Sequence, residues 1–416
     1  MSRSADHPLQ EVPAGRLAIS YAAIKRGTLW LLGACSGFAL IEPSPYEIAF
    51  LLALFVFAVT GIRFSQKLLP MVVLLLAYNI GGIVSLIPWM DEGDSVRFTA
   101  VSVYLMITSV FFAAIMAEDT AGRLETLLKG YLFAAWCASI AAILGYFDVA
   151  GLGRIFTLYG RASGTFKDSN VLGPFLVLPI LWILHRALVG RTGLVWGLVL
   201  ISVPVLALFL TFSRGAWGNL IASALLMVGL AFLTAPNAAQ RGRIVLLTLA
   251  AGLVALAALA IALSFENIRE VFEVRASLDQ SYDQGVTGRF GNQLRSIPLL
   301  LDAPNGFGPL RFRWHFPEDP HNVYINAFAS YGWLGGLAWV GLTAATCFVG
   351  WRLVFRRSPW QQEVTVLWSV LFVTILQGLQ IDTDHWRHLY LMLGLIWGLA
   401  ALPEPAQSAG ATSPAE

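Results

Sequence analysis

Residues 193–234 read GLVWGLVLISVPVLALFLTFSRGAWGNLIASALLMVGLAFLT, and this stretch decides the fold. Two apolar segments, 193–211 and 216–234, approach the roughly 20 residues that a helix needs to cross a bilayer. Only a short polar turn, which contains Arg214, separates them. A permanently charged guanidinium between two membrane spans costs free energy unless a counter-charge meets it. Arg214 is therefore predicted to belong to a functional site rather than to anchor a helix end at the lipid headgroups.

The composition of the whole chain extends this pattern. The 416 residues are 57% hydrophobic and only 12% charged, whereas about 25% of the residues of a soluble domain are charged. The net charge of +2 provides no basic field for nucleic acid. We therefore predict an all-α polytopic membrane protein with about 12 transmembrane helices and a helical external loop. The predicted spans are 24–41, 46–62, 68–90, 97–117, 127–147, 171–189, 193–211, 216–234, 243–264, 321–351, 362–380 and 386–402.

Orientation follows from the basic residues of the short loops. Lys and Arg are more numerous in the short loops on one side of the predicted spans, which identifies that side as cytoplasmic and places both termini there. The predicted order is a cytoplasmic tail (1–23), N-terminal transmembrane helices (24–147), a core (148–351) with a periplasmic loop (265–320), C-terminal transmembrane helices (352–402) and a disordered cytoplasmic tail (403–416).

The long external loop has too regular a pattern to be a linker. Phe265–Leu278 and Thr287–Asp302 both have the apolar periodicity of amphipathic helices, and the polar turn Asp279–Gly285 separates them. Arg289 falls at the start of the second helix, where Thr287 could act as the cap. A guanidinium beside the amides of a helix N-terminus makes an anion site.

A plainer interpretation of Arg289 stays open. It could be a solvated charge on the polar face of this helix, with Leu294, Ile297 and Leu301 as the buried stripe. Arg295 in the same helix is expected to be solvated or ion-paired.

His321 follows Asp319 and Pro320, which suit the cap and the first position of a helix. His321 would then lie in the first turn of a membrane helix, where a neutral imidazole could accept a proton from a hydroxyl as a general base. Asn322 and Tyr324 could orient the ring or a substrate. The alternative is an interfacial histidine that only satisfies the helix end.

A polar segment from Arg161 to Asn170 precedes the sixth predicted span. Asp168 or Ser169 could cap that helix, and Asn170 would lie in its first turn. Arg161 and Lys167 could help to bind phosphate, and Asn170 is predicted to bind the substrate with them. A capped helix entry without a binding role explains the segment equally well.

Asp382, Asp384, His385 and His388 form a polar cluster in an external turn. Carboxylates and imidazoles at this spacing could bind a metal ion. We favour instead a polar interfacial turn with Trp386 in the aromatic belt, and we predict no metal site and no cofactor.

Several local patterns follow one another along roughly residues 155–340. They are Arg161-x-x-Gly164-Thr165-Phe166-x-Asp168-x-Asn170, Ser213-Arg214-Gly215, Gly288-Arg289, Asn305-Gly306-Phe307-Gly308, His321-Asn322 and Tyr331-Gly332-x-x-Gly335. In this order the patterns resemble the O-antigen ligase and O-antigen polymerase superfamily, whose members are multi-span glycosyltransferases with polyprenyl-diphosphate glycan donors. The stretch Asp168-Ser169-Asn170 departs from the Asp-Pro-Asn that is usual in the family.

The resemblance implies a metal-independent, inverting glycosyltransferase of the bacterial inner membrane, with its active site facing the periplasm. Arg214 and Arg289 would hold the diphosphate of an undecaprenyl-linked glycan, and His321 would activate the acceptor hydroxyl. We expect the acceptor to be lipid A–core, as in an O-antigen ligase, and the alternative is a growing glycan, as in an O-antigen or exopolysaccharide polymerase.

Other classes of protein remain as alternatives. A glycolipid flippase or transporter would place its basic residues along a cavity through the membrane. The scarcity of acidic residues in the predicted spans argues against an ion-coupled carrier. A structural subunit of a secretion complex would explain the spans but not the cations of the external loops.

Overall fold

The computed structural model describes residues 21–120, 122–277 and 283–402. The predicted terminal tails lie outside the described residues except for residues 21–23, which belong to the first helix. Most of the Asp279–Gly285 turn also lies outside them. The first half contains α1 (Tyr21–Cys35), α2 (Pro45–Val59), α3 (Leu69–Leu86), α4 (Gly93–Glu118), α5 (Arg123–Tyr146), α6 (Gly153–Phe156) and an antiparallel hairpin of β1 (Thr157–Leu158) and β2 (Arg161–Ala162). The second half contains α7 (Ser169–Leu188), α8 (Leu194–Leu210), α9 (Arg214–Thr234), α10 (Ala238–Leu263), α11 (Glu266–Ala276), α12 (Arg289–Leu301), α13 (Val323–Phe355), α14 (Gln361–Gln377) and α15 (Arg387–Ala401).

Each of the twelve predicted spans coincides with one of these helices. Seven are long and apolar enough to cross a membrane, namely α3 with its flanking turns, α4, α5, α7, α9, α10 and α13. The shorter helices α2, α8 and α15 are apolar as well. The prediction of an all-α polytopic membrane protein is therefore confirmed, whereas its orientation stays a prediction.

Small residues bring the helices close together. The main packed pairs are α1 with α5, α3 with α13 and α4 with α15. A side chain at Gly33 would place its Cβ 2.5 Å from the carbonyl oxygen of Leu127, and one at Gly81 would place it 2.6 Å from that of Tyr331. Glycine allows these backbones to pack closely, which is the usual way in which membrane helices associate.

Gly332 divides the long helix α13 near its start. Its φ of 66° lies in the left-handed region that favours glycine. The break lets the backbone N–H of Trp333 donate to Pro304 O (2.9 Å), and Phe307 N donates to Ala329 O (2.7 Å). The loop after α12 is thereby fixed against the first turns of α13, which positions the segment that contains His321.

Helix α12 buries the face opposite to the one that its apolar pattern predicts to be buried. Leu294, Ile297 and Leu301 are 72%, 46% and 64% exposed, so the interpretation of these residues as a buried stripe is wrong. The inward face carries Gln293 and Ser296, which are both buried and hydrogen-bonded. The polar face of α12 therefore points toward the rest of the protein.

Candidate active site

The turn before α9 is held by the polar segment that precedes α7. Ser213 caps α9, with its hydroxyl accepting from Ala216 N, and it donates to Asn170 Oδ1 (2.9 Å). Arg161 donates through Nη2 to the same Asn170 oxygen (2.8 Å) and through Nε to Thr211 O (2.7 Å). Arg161 and Asn170 thus brace the turn that positions Arg214, the first residue of α9.

Asp168 caps α7 as predicted, since its carboxylate accepts from Asn170 N (2.8 Å). Lys167 instead pairs with Glu42, with its Nζ 2.5 Å from Glu42 Oε1. Both residues line a separate cavity. No contact of Lys167 with Arg214 or Arg289 is seen among the described residues.

Arg214 and Arg289, hereafter the arginine pair, meet at one carboxylate. Arg214 Nη2 lies 3.3 Å from Asp283 Oδ2, and Arg289 Nη2 contacts Asp283 Oδ1. The Asp283 side chain is only 8% exposed, and the two guanidinium groups are 28% and 18% exposed. Arg214 also donates to Ser277 O (2.8 Å), and Arg289 to Gln380 O (3.2 Å). Residues 75 positions apart in the chain therefore share a half-buried site at the Asp283 carboxylate.

Sequence reasoning did not single out Asp283. The signal was present, because an arginine between two membrane spans needs a counter-charge. Asp283 lies in the predicted polar turn between the two external helices, and it supplies that charge to both arginines.

His321 lies just before α13 and not in its first turn. The predicted cap, Asp319, instead pairs with Arg313 (2.9 Å), and Pro320 precedes the helix. Asn322 is the N-cap, since its Oδ1 accepts from the backbone N–H of Tyr324 (3.0 Å) and of the next residue. His321 has a φ of 43°, a conformation that few residues other than glycine adopt. The half-buried imidazole therefore sits on a constrained backbone next to a helix N-terminus.

Thr287 is likewise not the cap of α12, because the residue at that position is Gly288. Arg289 remains the first residue of the helix, as predicted. Tyr324 donates its hydroxyl to Ile375 O (2.9 Å), so it ties α13 to α14.

Two contacts relate His321 to the arginine pair. Gln293, one turn after Arg289 on α12, donates through Nε2 to Pro320 O (2.7 Å), beside His321. The loop after α14 makes the second link, because Gln380 O accepts from Arg289 and Asp382 Oδ1 accepts from Asn322 N (3.1 Å). The predicted catalytic residues are thus gathered by α12 and the loop 378–386 at one end of the helices.

The polar side chains of this loop contact other residues of the protein. Asp384 is 2% exposed and contacts His385 Nδ1 (3.1 Å) and Asn326 Nδ2 (3.3 Å). Burial, reinforced by Asp384 and Asp319 and opposed by the Asn322 N–H and His385, raises the pKa of Asp382 from 3.8 to about 8. Asp382 can therefore carry a proton at neutral pH.

The comparisons with known proteins concern the region that contains this site. No curated protein matches the chain at a significant level. Residues 196–340 match the family model described as O-antigen ligase. The matched range runs from α8 into α13 and contains the arginine pair, Asp283 and His321. This match confirms the predicted resemblance to the O-antigen ligase superfamily over residues 196–340, whereas the motif from Arg161 to Asn170 lies outside the matched range.

Proposed function

We propose that this protein is a metal-independent, inverting glycosyltransferase of the bacterial inner membrane. It transfers a glycan from undecaprenyl diphosphate to an acceptor hydroxyl at the periplasmic face, and the acceptor is lipid A–core. An O-antigen ligase or polymerase type of activity follows from the family match. The assignment of the donor rests on one observation, the convergence of the arginine pair on Asp283.

The charges of the arginine pair suit a diphosphate. Each guanidinium offers a planar fork of donors that can bind two phosphate oxygens at once. The Asp283 carboxylate lies between the two forks. A diphosphate, which carries a negative charge on each phosphate group, can take the position of this carboxylate. Binding there would stabilise the negative charge that develops on the leaving group without a metal ion.

His321 supplies the base. The hydroxyl oxygen of the acceptor bonds to the anomeric carbon of the donor glycan while the bond from that carbon to the diphosphate oxygen breaks. The hydroxyl proton passes to the imidazole of His321, and the electron pair of the broken bond leaves on undecaprenyl diphosphate. Attack from the face opposite to the leaving group inverts the anomeric carbon.

The positions of the three side chains favour transfer at a surface over transport. Arg214 and Arg289 each begin a helix, and His321 precedes one. A carrier holds its substrate near the midplane, usually at interrupted helices. The nearer alternative is an O-antigen or exopolysaccharide polymerase, which would use the same donor site and differ in its acceptor.

Transfer by the purified protein tests the proposal. The protein would receive an undecaprenyl-diphosphate glycan, with lipid A–core and a second donor molecule as competing acceptors. We expect lipid A–core to be glycosylated in the presence of EDTA. Chain extension of the donor alone would indicate a polymerase, and the absence of any transfer under conditions in which the protein stays folded would contradict the proposal.

A further inference from the structure

A cavity lies near the candidate active site. It has a volume of about 920 Å³ and is lined by parts of α1, α2, α4, α5, α7 and α15. Its wall on α4 extends from Asp94 to Phe112, which at about 1.5 Å per residue is roughly 27 Å of helix. The cavity is therefore long, and it follows a helix that can cross the membrane.

Charged side chains surround one end of this cavity, hereafter the rim. Arg97 and Lys167 both contact Glu42, and Arg387 contacts Glu47. Donors and acceptors thus alternate around the rim, and each of these three cations has an acidic partner. A set of paired charges of this kind suits the hydroxyl groups of a sugar, which both donate and accept hydrogen bonds.

The deeper wall is largely apolar. It includes Leu105, Phe112, Phe175 and Leu391. His388 also lines this cavity; it is 4% exposed, and its Nε2 has no hydrogen-bond partner among the described residues. A charged rim above a long apolar interior fits an amphiphile whose hydrocarbon chain runs along α4.

The loop 378–386 connects the two sites. Gln380 O accepts from Arg289 and Asp382 accepts from Asn322 N at the candidate active site, while His385 lines the cavity. A molecule whose head lies at the rim would therefore lie near the loop that contacts Asn322, the residue next to His321.

We propose that this cavity binds the glycolipid acceptor, with one hydrocarbon chain in the apolar interior and the sugar head at the rim. This inference rests on the proposed transfer reaction, for which it assigns the second substrate. It places the acceptor on the opposite side of the loop 378–386 from the donor diphosphate.

Photo-crosslinking of the full-length protein in phosphatidylcholine nanodiscs tests this assignment. The probe is an alkyl maltoside with a diazirine in its alkyl chain. Diazirine-bearing phosphatidylglycerol and diazirine-bearing polyprenyl phosphate form the comparison arms. We expect the maltoside to label peptides that contain residues 105–112 and 171–175, and to do so more strongly than either of the other lipids.

Two tryptophan substitutions on α4 form a matched pair. Val101 lines the cavity, and Ile107 is 43% exposed and does not line it. Val101→Trp should weaken maltoside labelling by about tenfold or more, because an inserted ring overfills the site. Ile107→Trp should label like the wild type. Equal labelling of the two variants would overturn the proposal.

Competition in the wild-type protein needs no variant and covers the case in which Val101→Trp does not fold. Unlabelled glycolipid should displace the probe, and unlabelled phosphatidylglycerol should not. Equal displacement by both would identify a site for bulk lipid and overturn the acceptor assignment, as would preferential labelling by polyprenyl phosphate.

Labelling of the cavity by the maltoside probe does not depend on glycan transfer. Arg214→Ala, which is expected to abolish transfer, should still show the maltoside labelling. If the wild type labels in the cavity but transfers no glycan, the proposed function fails while the glycolipid site stands. If transfer occurs without labelling in the cavity, the assignment of this site fails alone.

Discussion

At Arg214 the shape of the cation matters as well as its charge. Its Nη1 and Nη2 donate to different acceptors, Ser277 O and Asp283. The single ammonium of lysine cannot reproduce this fork. We therefore expect Arg214→Lys to transfer glycan nearly as poorly as Arg214→Ala, with rates lower than wild type by a factor on the order of 10²–10³.

Arg295 provides the control for that prediction. It is exposed on α12, where its guanidinium stacks on Phe316 at 5.5 Å. Arg295→Lys should retain nearly the full rate of transfer. A wild-type rate for Arg214→Lys would reduce Arg214 to an anchoring charge.

A substitution tests the role of His321 as the general base. His321→Ala should abolish transfer and leave membrane insertion and thermal stability near those of the wild type, because the half-buried ring makes no hydrogen bond that is seen among the described residues. His315→Ala is the matched control, since His315 is exposed and stacks on Phe307 at 4.2 Å. Full activity of His321→Ala would remove this residue from the mechanism.

The sequence predicted the charged residues of the site better than their partners. Arg214 and Arg289 stand out because cations are rare beside membrane spans. Asp283 does not stand out, because a carboxylate in a polar turn is ordinary until the fold brings it to two arginines. Arg161 and Asn170 were predicted as substrate-binding residues, and the structure shows them bracing the turn before α9. The contact between the Ser213 and Asn170 side chains joins residues 43 positions apart, and such a contact leaves no periodic signal in the sequence.

At the scale of elements, α12 offers a direct test of its orientation. Leu300 is 6% exposed and Leu294 is 72% exposed on the same helix. Leu300→Ala should destabilise the protein by about 2–5 kcal/mol, as is usual for a buried leucine. Leu294→Ala should change the stability by less than about 0.5 kcal/mol. Thermal unfolding in one detergent would compare them, and the reverse order of stabilities would restore the face that the sequence predicted.

The pattern of α12 misled because apolar residues identify the inward face only in a protein surrounded by water. In a membrane protein an apolar side chain can face lipid, and polar side chains can join helices. Gln293 does this by donating to Pro320 O. The predicted start of α13 was wrong because residue type alone does not show which polar side chain caps a helix. Asp319 is a good cap by residue type, but it pairs with Arg313, and Asn322 caps the helix.

The loop 378–386 should make stability depend on pH through Asp382. Its folded-state pKa of about 8 lies above the ordinary value of 3.8. Between these values the folded protein holds a proton that the unfolded chain has lost, so stability falls as pH rises. We expect the melting temperature to fall from pH 5 to pH 8, and this slope to be smaller in Asp382→Asn. The asparagine can still accept from Asn322 N.

Asp302→Asn is the control for Asp382→Asn, because Asp302 is an exposed carboxylate at the end of α12. Asp302→Asn should keep the wild-type slope of melting temperature against pH. An unchanged slope in Asp382→Asn would show that another group titrates in this range.

For the whole molecule, the sequence determined which segments are helices but not how they are arranged. Runs of apolar residues in a chain with 12% charged residues predict spans directly. The pairing of α1 with α5, α3 with α13 and α4 with α15 depends on glycine contacts that no single run reveals. The cavity along α4 is a product of that arrangement, and it could not be predicted from the chain.

The central claim is that the arginine pair binds the donor diphosphate at the position of Asp283. The most direct measurement is a cryo-EM structure of the purified protein with undecaprenyl diphosphate. We predict density for the diphosphate between the guanidinium groups of Arg214 and Arg289, with the Asp283 carboxylate displaced from at least one of them. A diphosphate bound elsewhere, with both arginines still paired to Asp283, would contradict the account.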